Sequence, residues 1–471
     1  MKFFTRVLVS SCIAASLLTA AVTSLRAQQD SGAAASAPQD PDVLAKKLDA
    51  MQQEINQLKA EVTELKTERA ASPVVLSAPA PSVATAAASP AAPAANSSAA
   101  QSQPPAATTA AVAGASAPTS PIPAKSGFFS STQISGFVDT YYGYDFNEPA
   151  NRTAGLHVFD GPTNQFDLNL AELTFTRNPA ATDAESRLGY NLVFGYGNAI
   201  NVVNSGDPGG ADFARNVVQA YGSYLFPLGK GLQVDVGKFV TPAGAEVIES
   251  VNDWNYTRGF LFGYAIPFYH FGLRAKYAFN DKVSLTGYLV NGWNDVIDNN
   301  TGKTYGFSLA WTPSKKWTLT QNYLAGPEMA DTNRHWRQLT DTVIQYNATS
   351  KLSFLLNYDW GWGDVMPGRI RPVFWTGAAG YLRYAFNDHN ALTTRYEYYD
   401  DHDGFTTLTP QNLNEFTETY EHIFGAHLVT RLEYRRDISN HPVFMEGAGF
   451  VDNQNTLTGG IMFNFDLHKA Q

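Results

Sequence analysis

Cysteine is almost absent, and the one present, Cys12, lies in an N-terminal apolar stretch. Residues 1–27 read as a secretory signal: Lys2 and Arg6, an apolar run from Val7 to Val22, and a cleavage position near Ala27. "VSSC" superficially resembles a lipoprotein box, but the apolar run continues past the cysteine as "IAASLLTAAV", which argues against lipidation. Removal of the signal leaves no cysteine, hence neither a disulfide nor a thiol nucleophile. No later segment has the roughly 18 uninterrupted apolar residues that a membrane-spanning helix needs. Any entry into a membrane must therefore be made by strands. A Lys/Arg-rich block is also missing, and the formal net charge of -10 argues against nucleic acid as a partner.

Aromatic residues and glycine are abundant, with 23 Tyr, 29 Phe and 37 Gly, a composition suited to strands. In "QISGFVDTYYGYDFN", every second residue separates Ile134, Gly136, Val138, Thr140, Tyr142, Tyr144 and Phe146 from Gln133, Ser135, Phe137, Asp139, Tyr141, Gly143 and Asp145. Only an extended strand sorts residues in this way. The segments "RLGYNLVFGYG", "HFGLRAKYAFN" and "HLVTRLEYRRD" repeat the pattern, the last with Arg431, Glu433 and Arg435 on its polar side.

About sixteen such segments are expected, beginning near 132, 164, 185, 213, 230, 268, 282, 303, 315, 337, 351, 373, 390, 413, 426 and 455. An even number closes an antiparallel transmembrane barrel. The connections alternate: "FPLGKG", "FNDK", "WTPSKK", "NATSK" and "FNDHN" are tight, and most of those between them are long. Tight turns belong to the periplasmic rim and long loops to the outside. On this reading Asp139 points into a watered lumen. A soluble sandwich would also alternate, but the signal, the loop alternation and the end of the chain argue together for the outer membrane.

Ahead of the barrel the chain changes character twice. Leu44, Leu48, Met51, Ile55, Leu58, Val62 and Leu65 are spaced by fours and threes, a heptad seam. Glu54 and Glu61 fall at g, and Lys59 and Lys66 at the following e, the pairing of adjacent parallel helices. Residues 40–70 are thus expected to form a coiled coil that makes the protein a homo-oligomer, dimer or trimer. Residues 71–126, mostly Ala, Pro, Ser, Thr and Val, cannot bury a core and read as a disordered linker. The barrel is assigned to residues 127–471.

The end, "TGGIMFNFDLHKAQ", carries Thr458, Gly460, Phe463 and Phe465 in the polar, glycine and aromatic spacing of a final strand read by the outer-membrane assembly machinery. Several stretches together resemble the β-barrel porin-2, OmpL-like family: "SGFVDTYYGYDFNEP", "VQAYGSYLFPLGKGLQVDVGKFVTPAGAEV", "IPFYHFGLRAKYAFND", "LVNGWND" and "RLEYRRDIS". The likeness spans roughly 130 to 467 and implies fold and location more than substrate.

The longest connection, Thr241 to His270, is by order the third outer loop. In general porins, which this barrel resembles in size, that loop folds inward. Here it would carry Glu246, Glu249 and Asp253 toward the wall residues Lys238, Arg274, Lys276 and Arg187. Opposed charges across a constriction set up a transverse field that orients polar solutes. The run Asp400, Asp401, His402 and Asp403 lacks the spacing of a calcium loop and reads as an acidic turn. No catalytic constellation, metal site or cofactor motif is evident. The sequence points to a passive outer-membrane channel for small hydrophilic solutes, with a structural tether to the cell wall as the alternative.

Overall fold

The computed structural model describes residues 128–363 and 371–467. The expected signal peptide (1–27), coiled coil (40–70) and linker (71–126) lie outside the described residues. The barrel begins with β1 (Gln133–Asp145), β2 (Gln165–Arg177), β3 (Leu188–Tyr196), β4 (Val217–Phe226) and β5 (Leu232–Val240). It continues with β6 (Tyr269–Ala278), β7 (Val283–Val290), β8 (Thr304–Ser314), β9 (Trp317–Pro327) and β10 (Trp336–Asn347). Next come β11 (Leu352–Gly363), β12 (Val373–Asn387), β13 (Asn390–Asp401), β14 (Gln411–Phe424) and β15 (Leu428–Ser439). A small hairpin, β16 (Phe444–Glu446) and β17 (Gly449–Val451), precedes β18 (Asn453–Asp466).

Sixteen strands form one closed ring, the hairpin standing outside it. Closure is made by β18 on β1, antiparallel from Ser135 opposite Asp466 to Asp145 opposite Thr456. Because closure pairs the last free edge, no strand of the ring is left with open backbone groups. The expected starts near 185 and 213 fall instead in the connections before β3 and β4. The alternation there runs on into residues that have no strand partner.

The two faces separate as the sequence implies. On β15, Leu432 and Tyr434 are exposed on the outside, and Arg431, Glu433 and Arg435 are buried on the inside. Aromatic pairs mark both ends of the outer face: Trp317 stacks on Tyr346 at the tight-turn end (4.2 Å), and Tyr305 on Trp336 at the long-loop end (6.3 Å). Such girdles suit rings that are apolar in body and polar at one edge.

The connections at one end are mostly short: 227–231, 279–282, 315–316, 348–351, 388–389 and 425–427, with 178–187 the longer exception. At the other end they include 146–164, 197–216, 241–268, 291–303 and 440–452. A six-residue helix, α1 (Asn198–Val203), lies in the second of these. The third, 241–268, is the longest of those that the described residues span, and it does not stay at the rim.

Candidate functional site

A bulge prepares the landing place of the third loop. Between β1 and β2, Asp139 lies opposite Leu170 and Thr140 opposite Leu168, so Asn169 is the extra residue. Asn169 Nδ2 donates to Asp139 at 2.9 Å, and the loop supplies Ser250 Oγ at 2.6 Å and Tyr256 OH at 2.8 Å to the same carboxylate. Asp139 faces inward as the alternation requires, but protein, not a watered lumen, surrounds it: none of it is exposed. Tyr256 lies against β18 at Gly460, where a β-carbon would come within 2.4 Å of its ring. Only glycine admits that approach.

The rest of the loop is held chiefly by β13–β15, whose inner faces carry charges in close succession. Glu421 is opposite Arg431, Thr419 opposite Glu433, and Thr417 opposite Arg435. Arg431 donates to Glu421 at 2.7 Å and reaches three loop carbonyls: Ser250 (2.6 Å), Asp253 (2.5 Å) and Asn255 (2.9 Å). Glu433 accepts from the backbone N–H of Tyr256 (2.6 Å) and Thr257 (3.0 Å). Arg435 donates to Asp437 and to the carbonyl of Arg258, both at 2.8 Å. Arg395 links Glu246 (2.5 Å) to Glu415 (2.8 Å). Glu397 accepts from the N–H groups of Phe260 and Leu261, at the start of the helical turn Leu261–Ala265, where the helix leaves donors unpaired. Buried charges are tolerable only when paired and hydrogen-bonded, and this wall supplies both conditions.

At its root the loop meets β9 and β11. Asn322 Nδ2 donates to the carbonyl of Pro242 at 2.9 Å, and Asn357 Oδ1 accepts from Ala245 N–H at 2.9 Å. The return limb lays Ala265 against β12, its carbonyl accepting from Trp375 Nε1 at 3.1 Å. The loop thus crosses the lumen, follows the wall as far as β1 and β2, and comes back.

The residues singled out from sequence divide into groups. Glu246 and Asp253 are buried; Asp253 accepts from Val247 N–H at 2.9 Å and lies 3.7 Å from Arg258. Glu249 alone of the three loop carboxylates keeps partial exposure, and it lies close enough to Glu172 on β2 for their carboxyls to act on one another. Arg274 pairs with Asp235 at 2.7 Å and stacks over Tyr221 and Phe239; Lys276, two residues on, is half-buried. Lys238 donates to Asn204 at 2.8 Å and sits 4.0 Å over the ring of Tyr269. Arg187 belongs to the connection between β2 and β3 and donates to the carbonyl of Leu225 at 2.9 Å. In β18, Thr458 is buried on the inside, Phe463 is exposed on the outside, and Phe465 lies over Gly136.

Residues 131–465 match the family described as "Putative beta-barrel porin-2, OmpL-like". The chain belongs to this porin family. Membership agrees with the closed β-barrel and places the protein in the bacterial outer membrane. A porin family with a porin-type barrel points to a channel and not an enzyme. Solved structures similar to this porin include OmpT of Vibrio cholerae, at 12% identity and a TM-score of 0.47, covering 71% of this chain and 97% of that one. The anion-selective porin from Comamonas acidovorans is 12% identical with a TM-score of 0.48, covering 71% and 99%. A mutant of Rh. blastica porin is 14% identical with a TM-score of 0.43, covering 71% and 100%. No curated protein matches the chain.

Two features of this porin escape the sequence pattern. His157, in the loop 146–164, bridges Asp160 (Nδ1, 2.6 Å) and Asp437 of β15 (Nε2, 2.9 Å). Burial and the charge of Arg435 push the imidazole down, but the two carboxylates prevail and hold it up at about 9. Burial likewise opposes the charge of Asp160, and His157 keeps that carboxyl below its ordinary value. An Asp three residues after a His in a loop was the available signal. In the acidic run, Asp401 is buried and accepts from the N–H groups of Phe405, Thr406 and Thr407, fastening the turn. Among the described residues, no three His, Cys, Asp or Glu side chains converge to hold a metal ion.

Proposed function

We propose that this porin admits small hydrophilic solutes passively through a lumen that its third loop narrows from one side. The observation that carries this reading is the one-sided attachment: the loop is tied to β1, β2, β9 and β11–β15, while on β6–β8 the inward Lys276, Ser284 and Ala310 keep partial exposure beside the buried Thr286 and Ser308. In this reading Glu249 on the loop and Arg274 and Lys276 on the wall face the passage. Glu246 and Asp253 hold the loop in place, Lys238 steadies the outer end, and Arg187 belongs to the periplasmic turns. A transverse field between Glu249 and the β6 cations would orient polar solutes where screening is weak.

The remaining segments fit the same arrangement. Residues 1–27 direct export, the seam from Leu44 to Leu65 forms a periplasmic oligomerising stalk, and 71–126 spans the distance to the barrel. Thr458, Gly460, Phe463 and Phe465 are read by the assembly machinery, and the outward aromatics meet outer-membrane lipid. Single-channel recording of the full chain in a planar bilayer tests the central point. Discrete conductance steps are expected; their absence in correctly folded protein across a range of salt rejects a diffusion channel.

A further inference from the structure

At the long-loop end, three loops bring carboxylates together. Asp207 comes from 197–216, Asp295 and Asp298 from 291–303, and Glu328 from the connection after β9. Asp207 is fully engaged: it accepts from Gly209 N–H (2.8 Å), Tyr269 OH (2.6 Å) and Val296 N–H (3.1 Å). Asp298 pairs with Lys303 at 2.5 Å. Glu328 accepts from Trp293 N–H at 2.8 Å and from Thr304 Oγ1. Asp295 differs from all of these, being only 3% exposed with no hydrogen-bond partner for its Oδ2.

That oxygen looks into a small cradle. A β-carbon on Gly292 would lie 2.8 Å from Asp295 Oδ2 and 2.8 Å from Glu328 Oε2, and the next atom, Asp295 Cγ, would be 3.5 Å away. Two carboxylate oxygens therefore converge on one point beside a residue that has no side chain to fill it. His270 Nδ1 donates to the carbonyl of Gly292 at 2.8 Å, fixing the peptide that floors the cradle. Burial, with Glu328, Asp298 and Asp207 nearby, pushes Asp295 up to about 8 despite the opposing charge of Arg337. The surroundings thus disfavour a bare charge at Asp295.

We propose that Asp295 and Glu328 hold a divalent cation of the Ca²⁺ class in front of Gly292. Hard oxygen donors of this kind suit Ca²⁺, which accepts flexible geometry at roughly 2.3–2.6 Å. Two carboxylates converge, not three, so water completes the shell and binding is weak, on the order of the 10⁻⁴–10⁻³ M typical of extracellular modules. The ion neutralises the most costly carboxylate of the cluster and ties the loop 291–303 to the connection after β9. Through Val296 N–H on Asp207 the tie extends to the loop 197–216.

The test uses the full chain in detergent, stripped with a chelator and titrated with Ca²⁺ by calorimetry and with Tb³⁺ by luminescence sensitised through Trp293. One saturable site in the wild type and a rise in the thermal transition with Ca²⁺ are expected. Asp295→Asn is expected to weaken binding at least tenfold while keeping the heat-modifiable mobility of a folded barrel. Gly292→Ala fills the cradle with both carboxylates retained and is expected to weaken binding similarly. Asp212→Asn, at a fully solvated position, serves as the control and binds like the wild type. Absence of saturable binding in the wild type overturns the proposal, with a proton then neutralising Asp295. Wild-type affinity in folded Asp295→Asn or Gly292→Ala overturns it equally.

Discussion

Strands β13–β15 and strands β6–β8 obey the same alternation, yet their inner faces are covered to different extents. The first wall turns Arg395, Glu397, Glu415, Glu421, Arg431, Glu433, Arg435 and Asp437 inward, and all eight are buried. The second turns in Arg274, Lys276, Ser284, Thr286 and Ser308; the first three keep partial exposure and the last two are buried. Period-two patterning decides only which side of the sheet a residue occupies. Whether that side meets water or protein is decided by a loop whose partners are distant in sequence, as Glu246 is from Arg395. A charged inner face in a barrel can therefore be an anchoring surface for a loop as readily as a pore lining.

Severing the anchored wall is expected to give the largest effect. Arg431→Met removes the guanidinium shared by Glu421 and by the carbonyls of Ser250, Asp253 and Asn255. Breaking one side of a buried charge pair costs about 3–5 kcal/mol. The thermal transition should fall sharply, and channels that still form should be noisier and wider as the loop leaves the wall. A wild-type transition in Arg431→Met would mean that the wall does not hold the loop.

The next effect depends on pH, through the second tie to β15. The bridge formed by His157 is faced by Asp160, Asp437, Arg435 and Asp145. Its folded value, raised from 6.5 to about 9, contributes stability that is complete below 6.5 and disappears as pH rises through 9. The shift corresponds to at most about 3 kcal/mol. Wild-type stability should decline between pH 6.5 and 9, and His157→Gln should flatten that decline. An unchanged slope in the variant would free β15 from this contribution.

Selectivity sharpens the contrast within the loop itself. Glu249 keeps partial exposure while Glu246 is buried against Arg395. Glu249→Gln is expected to move reversal potentials toward anions with little loss of stability. Glu246→Gln is expected to lower the thermal transition and move selectivity less. The opposite ranking would put Glu246 in the passage.

Much of this architecture was legible in the sequence. Strand number, the inward direction of Asp139 and the alternation of short and long connections all follow from period two and from turn composition. The bulge at Asn169 was not legible, because one extra residue changes no composition. Neither was the position of Arg187, where the alternating pattern outruns the strand into a turn. The β16–β17 hairpin was hidden by its length of three residues per strand. The rows Arg431, Glu433, Arg435 and Arg395, Glu397 gave a usable hint, since opposite charges repeated at i, i+2 along one face of a strand favour mutual pairing. What no pattern within a strand could supply was the path of residues 241–268 across the lumen.

The smallest expected effect lies on the open wall and tests the other half of the comparison. Lys276 is opposite Gln233 on β5 and Thr286 on β7, neutral neighbours that gain little from its charge and lose little with it. Lys276→Gln should therefore change stability by no more than about 0.5 kcal/mol, as at other sites without a special feature. Its influence on permeating ions should be felt even so, because a charge facing the passage acts on ions within a Debye length of ~10 Å at 0.1 M salt. The reversal potential should move toward cations, more at low salt than at high. A conducting Lys276→Gln channel with unchanged selectivity at low salt would remove β6 from the passage. It would also leave the exposure of this wall without a role in permeation.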